Sequence, residues 1–171
     1  MSKIIQYYIN GEFQSSLTAK IPFSDAGFLY GDGLFETMRF DNHVIFSPFK
    51  HLARLEKGLN LINLKIDKNK DDLLKLLNQL ISKNSLDSGI IRLMVTRGRT
   101  EKNLQNKTKP GIYISIKPFY DISEDPVKVV YLSESDYPII RFTPAIKSMN
   151  YIGNLLAKQD ADKQGAFEPV F

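Results

Sequence analysis

The stretch Gly31-Asp32-Gly33-Leu34-Phe35-Glu36-Thr37-Met38-Arg39-Phe40 joins a glycine-rich turn to an alternating series of larger side chains. Alternation of this kind predicts a β-strand over residues 34–40, because successive side chains of a strand point to opposite faces of a sheet. Glu36 and Thr37 are therefore expected on opposite faces. The glycines predict a turn with positive φ. The spacing and context of a phosphate-binding glycine loop are missing.

The other elements are predicted outward from this strand. Asn10-Gly11 predicts a type I′ turn in a hairpin over residues 4–14. Ser47-Pro48 predicts a helix start with Ser47 as N-cap, and an apolar stripe that begins at Phe49 continues that helix to about residue 63. Further helices are expected over 70–82 and 148–163, and further strands over 43–46, 89–96, 111–116, 127–132 and 166–171. Residues 97–110 are expected as a long polar loop.

Composition excludes several kinds of protein. The 171 residues are 43% hydrophobic, carry a net charge of +4 and include no cysteine. Disulfides, thiolate metal sites and a cysteine nucleophile are excluded, and a cytoplasmic location is favoured. Neither a signal peptide nor a run of about 18 apolar residues is visible, so no membrane association is expected. The lysines are scattered rather than clustered with aromatic residues, which favours a solvated surface over a nucleic-acid interface.

Two basic residues could carry chemistry. Lys147 lies between an extended segment and a predicted helix, where partial burial could lower the pKa of its amine enough for it to act as a nucleophile. Arg54 follows His51 by three positions on one helix face, and arginine suits bidentate recognition of phosphate. Taken alone, each pattern is more typical of a surface residue. Metal-binding spacings and nucleophile-elbow motifs are missing from the sequence.

Five motifs in order change this interpretation. They are Tyr8–Gly11, Ser24–Arg39, His51–Leu55, Arg92–Gly98 and Lys147–Tyr151. Together they resemble the class IV aminotransferase family, which includes branched-chain aminotransferases, D-amino acid aminotransferases and aminodeoxychorismate lyases. The resemblance implies an α/β (α+β) enzyme of fold type IV that uses pyridoxal 5'-phosphate (PLP). It implies an N-terminal α/β domain over residues 1–120 and the first part of a C-terminal PLP-binding domain over residues 121–171.

The resemblance also implies roles for individual residues. Lys147 corresponds to the Schiff-base lysine that also moves the α-proton, and Arg54 to the arginine that holds the cofactor phosphate. Tyr151 falls where some members place a tyrosine near the phenolic oxygen of the cofactor. Positions expected on the substrate side are Phe35, Thr37, Arg92 and Lys102. Among these, Arg92 and Lys102 are expected near a substrate carboxylate.

The family pattern leaves three functions open. The leading expectation is transamination of an amino acid or a similar small molecule by a homodimer. The first alternative is an aminodeoxychorismate lyase that releases pyruvate and 4-aminobenzoate, with Thr37 assisting elimination. Family members usually carry further cofactor-binding motifs beyond the position of Phe171, so a truncated chain is expected, and the second alternative is an incomplete relative that acts as a structural or interaction module. Lys102-Asn103-Leu104 replaces the Arg-x-His of D-amino acid aminotransferases, which disfavours that specificity.

Overall fold

The computed structural model describes residues 4–99, 109–119 and 125–171. The chain divides into two compact units. The first contains residues 1–120 together with residues 144–149, and the second contains residues 121–143 and 150–171. Each unit is described separately below.

The first unit is built on a six-stranded sheet. Its strands are β1 (Gln6–Ile9), β2 (Glu12–Ser15), β3 (Gly33–Asp41), β4 (Val44–Ile45), β5 (Gly89–Thr96) and β6 (Gly111–Pro118). They lie in the order β2-β1-β6-β5-β3-β4, and every neighbouring pair is antiparallel. The register runs from Gly33 opposite Thr96 to Phe40 opposite Gly89, so β3 and β5 pair along nearly their whole length.

Two helices cover one face of this sheet. They are α2 (Pro48–Leu61) and α3 (Lys70–Asn84), and a short α1 (Ala26–Tyr30) precedes them. The leucines that recur at helical spacing bury the inner sides of α2 and α3 against the sheet. A capping box between Asn69 and Asp72 begins α3. The core therefore lies between these helices and alternate residues of the central strands.

Most predicted elements of the first unit are confirmed, with local corrections. Asn10 and Gly11 have φ values of 49° and 113°, as the predicted type I′ turn requires. Ser47 precedes α2, but its side chain makes no capping hydrogen bond because its backbone is left-handed, with φ of 47°. Phe49 is 55% exposed instead of joining the buried stripe. Helix α1 was not expected, since its five residues are too few to show a period.

The second unit contains β7 (Val129–Tyr131), a 3-10 helix (Glu134–Asp136), α4 (Ile152–Lys163) and β8 (Glu168–Val170). Strands β7 and β8 pair in parallel, and α4 lies between them in sequence. The tyrosine Tyr137 donates to Asp160 at 3.0 Å, which ties the segment before α4 to that helix. The strands expected near residues 127–132 and 166–171 are thus confirmed with shorter bounds.

Membrane-spanning helices and clustered metal ligands are both missing from the described residues. No helix within the ranges 4–99, 109–119 and 125–171 is long and apolar enough to cross a membrane. Over the same ranges, no group of three or more histidine and acidic side chains could hold a metal ion.

Candidate active site

The site begins at the edge of β3, where residues 147–149 lie alongside the start of the strand. Leu34 and Ser148 form an antiparallel bridge. The Phe35 amide donates to the Lys147 carbonyl, and the Met149 amide donates to the Gly33 carbonyl, both at 2.9 Å. The predicted helix start at Ser148 is therefore wrong. These backbone groups are used in strand pairing, and α4 begins only at Ile152.

Gly33 makes this pairing sterically possible. A Cβ atom at this position would lie 2.7 Å from the Met149 sulfur and 2.7 Å from the Val95 carbonyl oxygen. Both distances are shorter than any normal carbon contact, so a side chain would push the neighbouring strands apart. The glycine that suggested a turn in the sequence thus holds the Lys147 segment against β3.

The side chains of Lys147 and Arg92 meet at Phe35. The Lys147 Nζ lies 4.6 Å from the centre of the Phe35 ring, and the Arg92 guanidinium carbon lies 5.0 Å from it. Arg92 stands opposite Thr37 in the register, and its Nε donates to the Thr37 hydroxyl at 3.2 Å. Phe35 is buried and Lys147 is partly buried. The structure therefore brings together four residues that the sequence singled out.

Arg54 lies on the other face of β3, where it pairs with Glu36. The Glu36 carboxylate accepts from Arg54 Nε at 2.6 Å and from Arg54 Nη2 at 2.5 Å. His51 Nδ1 lies 2.8 Å from the same carboxylate. Glu36 and Thr37 do point to opposite faces, as the strand period predicts, and His51 and Arg54 share one helix face. The partner of Arg54 could not be found from sequence, because it lies 18 residues away.

Two further predicted site residues, Tyr151 and Lys102, lie outside the described part of the first unit. Tyr151 belongs to the second unit, where it is exposed and immediately precedes α4. Lys102 lies outside the described residues, as do residues 100–108 of the predicted polar loop.

A buried hydrogen-bond centre at Asp25 was not expected from the sequence. Asp25 is 1% exposed and accepts from the Gly27 amide at 2.8 Å, the Thr96 hydroxyl at 2.9 Å and the Tyr113 hydroxyl at 2.6 Å. Burial, with the bond to Asp25, raises the pKa of Tyr113 to about 12. All three partners donate to the Asp25 carboxylate. Asp25 therefore joins the loop before α1 to β5 and β6.

These side chains fit the chemical demands of PLP. The cofactor needs a primary amine for its aldehyde and hydrogen-bond donors for its phosphate. Lys147 supplies the amine and Arg54 the guanidinium. They are held by two consecutive residues of β3 whose side chains point to opposite faces, since Lys147 contacts Phe35 and Arg54 is paired with Glu36.

The chain is similar to known proteins of one family. The family model described as amino-transferase class IV matches residues 33–171. A D-alanine aminotransferase of Staphylococcus aureus is 33% identical over 170 residues, covering 95% of this chain and 58% of that protein. The chain therefore spans less than two thirds of the length of this relative.

Solved structures share the fold at lower identity. The branched-chain amino acid aminotransferase of Escherichia coli matches with a TM-score of 0.81 and 24% identity, over 98% of this chain and 59% of that one. A candidate 4-amino-4-deoxychorismate lyase of Legionella pneumophila matches with a TM-score of 0.76 and 24% identity, over 91% and 57%. The mixed α/β fold predicted from the motifs is confirmed, and the match covers part of the fold of these enzymes.

Proposed function

The chain belongs to the class IV aminotransferases, and on that premise we propose that the whole protein transfers an amino group between an amino acid and a keto acid with PLP as cofactor. The observation that carries this proposal is the placement of Lys147. Its backbone is paired with β3 and its amine lies against the ring of Phe35, 4.6 Å from the centre. A lysine fixed in this way is suited to hold a cofactor and to move a proton.

Three residues are proposed to hold the cofactor. Lys147 would bind its aldehyde carbon, Arg54 its phosphate, and Tyr151 its phenolic oxygen. PLP, when bound, withdraws electrons from the α-carbon of the substrate. A branched-chain amino acid aminotransferase of the same fold is complexed with N-(5'-phosphopyridoxyl)-L-glutamate, a molecule that joins this cofactor to an amino acid.

Proton transfer is assigned to Lys147. The Lys147 amine would take the α-proton of the substrate and deliver it to a carbon of the cofactor. Its partly buried position beside an aromatic ring keeps the amine in a restricted space. The hydrogen bond from the Phe35 amide to the Lys147 carbonyl fixes the backbone from which this side chain extends, which restricts the positions that the amine can reach.

The substrate side is assigned to Phe35, Thr37, Arg92 and Lys102. Phe35 would form an aromatic wall, while Arg92 would bind a substrate carboxylate. The Thr37 hydroxyl and the Phe35 ring hold the Arg92 guanidinium, which is exposed and therefore accessible to an anion. The proposal extends to the family's domain arrangement, with residues 1–120 as the N-terminal domain and residues 121–171 as the first part of the PLP-binding domain.

We also propose that the protein works as a homodimer in the cytoplasm. The first unit exposes three aromatic side chains close together in sequence, Phe23 at 78%, Phe28 at 63% and Tyr30 at 69%. Exposed aromatic groups of this size are typical of subunit interfaces. Sedimentation analysis of the whole protein tests the dimer, and a monomer at micromolar concentration contradicts it. The absence of cysteine suits a reducing compartment.

The decisive experiment maps the lysine that attaches PLP. The 171-residue chain, and the whole polypeptide where the gene encodes more, is incubated with PLP, reduced with borohydride and digested for mass spectrometry. We expect the label on Lys147 and its loss in Lys147→Ala. Lys75→Ala, which removes an exposed lysine of α3, is the matched control. A label that is unchanged in Lys147→Ala, or no label on the whole polypeptide, contradicts the proposal and favours a structural or interaction module.

The lyase is a second candidate because of Thr37. Its hydroxyl lies on the same face of β3 as Phe35, where it also contacts Arg92. The whole protein is therefore assayed with aminodeoxychorismate, and separately with D-alanine and branched-chain amino acids plus a keto acid. Pyruvate released without a keto acid acceptor identifies the lyase. In that case Thr37→Ala should reduce lyase activity far more than Thr37→Ser, which keeps the hydroxyl.

A further inference from the structure

The geometry points to Glu36 as a positioning residue that orients Arg54 toward an anion, so that Glu36 controls affinity for the cofactor phosphate without touching it. This inference rests on the proposed function, because it takes Arg54 as the phosphate ligand. Glu36 is 1% exposed, whereas the side chain of Arg54 is 46% exposed. The ion pair therefore joins a fixed, buried carboxylate to an arginine that reaches the surface.

The Glu36 carboxylate is held at both of its oxygens. Glu36 lies in the middle of β3, opposite Leu93 of β5, on the face that α2 covers. Both oxygens are used, since Oε1 accepts from Arg54 Nε and Oε2 accepts from Arg54 Nη2. A carboxylate held by a central strand and by two hydrogen bonds cannot rotate without breaking charged contacts.

The guanidinium takes its direction from that carboxylate. Glu36 binds the edge formed by Nε and Nη2, and because the guanidinium is planar this sets the plane of the whole group. Nη1 then lies on the side away from Glu36. Arginine otherwise loses about 2 kcal/mol of rotamer entropy when it is ordered. Ordering by Glu36 before the ligand arrives removes part of that cost from binding.

His51 provides a third contact on the carboxylate. Its Nδ1 lies 2.8 Å from Glu36 Oε2, and since a carboxylate only accepts, Nδ1 carries hydrogen and donates. His51 lies one helical turn before Arg54 on α2, so the strand and the helix are joined at two points. Loss of His51 is expected to weaken the orientation of Arg54 less than loss of Glu36, because the bidentate pair remains.

If Glu36 orients Arg54, its loss weakens phosphate binding, but charge alone predicts the opposite. The negative charge of Glu36 opposes the attraction of Arg54 for phosphate, so removing it should strengthen phosphate binding if orientation were irrelevant. Glu36→Gln removes the charge and keeps the shape, whereas Glu36→Asp keeps the charge and withdraws it by one methylene. The two variants therefore separate orientation from charge.

The test compares PLP with pyridoxal, which lacks the phosphate. Affinity for each is titrated by the absorbance of the bound ligand on the same preparation used for lysine mapping. We expect both Glu36 variants to bind PLP about tenfold more weakly, the effect of losing one well-aligned charged hydrogen bond. Their affinity for pyridoxal should remain that of the unmodified protein. Glu56→Gln, which alters an exposed glutamate of α2 paired with Lys70, is the control and should change neither.

Each other outcome overturns the inference in a recognisable way. Tighter PLP binding by Glu36→Gln would show that only its charge matters. Equal losses for PLP and pyridoxal would show a merely structural role, and circular dichroism of the same samples reports any unfolding. Suppose that the unmodified protein attaches PLP at Lys147 and that the Glu36 variants keep its ratio of PLP affinity to pyridoxal affinity. That result refutes the inference and leaves the proposed function standing. Failure to attach PLP at Lys147 refutes the proposed function.

Discussion

The two faces of β3 use charged residues in opposite ways. On the face that α2 covers, Leu34, Met38 and Phe40 are buried apolar residues, and Glu36 is a buried carboxylate paired with Arg54. On the other face Thr37 is partly buried and Arg39 is exposed. Charge on the covered face must be compensated, because an unpaired buried ion is costly. Charge on the other face has no such requirement, whereas Arg54 on the covered face must compensate Glu36 and, on the proposal above, also bind the cofactor phosphate.

The largest expected effect comes from breaking the pair on the covered face. Arg54→Ala leaves the Glu36 carboxylate buried with His51 as its remaining side-chain partner among the contacts described above. We expect a loss of about 2 kcal/mol in the free energy of unfolding, which is reduced from the value for a fully buried pair because Arg54 is partly exposed. Urea titration followed by circular dichroism measures it. Arg92→Ala, the matched change on the other face, should alter the same quantity by less than about 0.5 kcal/mol. Equal losses in the two variants would remove the distinction between the faces.

A somewhat smaller effect is expected where residues 147–149 approach β3. Gly33→Ala places a Cβ 2.7 Å from the Val95 backbone oxygen, which cannot move without shifting β5. We expect a loss of about 1.5 kcal/mol, within the range for overpacking. Gly58→Ala is the comparison, since its Cβ would meet the side chains of Leu34 at 2.6 Å and Ile146 at 3.2 Å, with no backbone atom among these contacts. Hydrogen exchange of the Phe35 and Met149 amides should increase in Gly33→Ala and stay lower in Gly58→Ala; the reverse order would contradict the role given to Gly33.

The sequence predicts what is periodic or local. The alternation of residues 34–40 predicted β3 and the separation of Glu36 from Thr37 correctly, and Asn10-Gly11 predicted its turn. The start of α4 was predicted four residues early, because nothing local in residues 148–151 reveals that residues 147–149 pair with a strand more than a hundred positions away. The helical periodicity of a sequence does not show such a long-range contact, which forms only when the chain folds.

The same distinction between local pattern and long-range contact applies to the candidate site. Lys147 and Arg54 were singled out through the order of motifs, while their immediate neighbourhoods alone favoured surface residues. The partner of Arg54 and the shared contact of Lys147 and Arg92 with Phe35 are products of strand register and helix packing. Asp25 belongs to the Ser24–Arg39 motif, but its role as a shared acceptor could not be predicted, since its three donors come from α1, β5 and β6.

A pH-dependent effect is expected from the Asp25 centre. Tyr113 has a pKa of about 12 in the folded protein, above the value of about 10 in an unfolded chain. The folded state therefore keeps its proton after the unfolded state has lost it, and the stabilisation present below pH 10 is lost as the pH rises toward 12. Urea titrations at several pH values in this window should show that the free energy of unfolding falls more steeply with pH in the unmodified protein than in Tyr113→Phe. Parallel slopes would contradict the assignment.

The smallest expected effect on stability tests the other face of β3 most directly. Thr37→Val keeps the branched shape that suits a strand and removes only the hydroxyl that accepts from Arg92 Nε at 3.2 Å. Because Arg92 is exposed, water can replace that bond, and the free energy of unfolding should change by less than about 0.5 kcal/mol. If this face serves a ligand, the KM for a carboxylate substrate should nevertheless rise, since Arg92 loses one of the two contacts that orient it. Thr37→Ser should restore the KM. A large loss of stability with an unchanged KM would mean that Thr37 and Arg92 serve the fold, and that the two faces do not differ as argued.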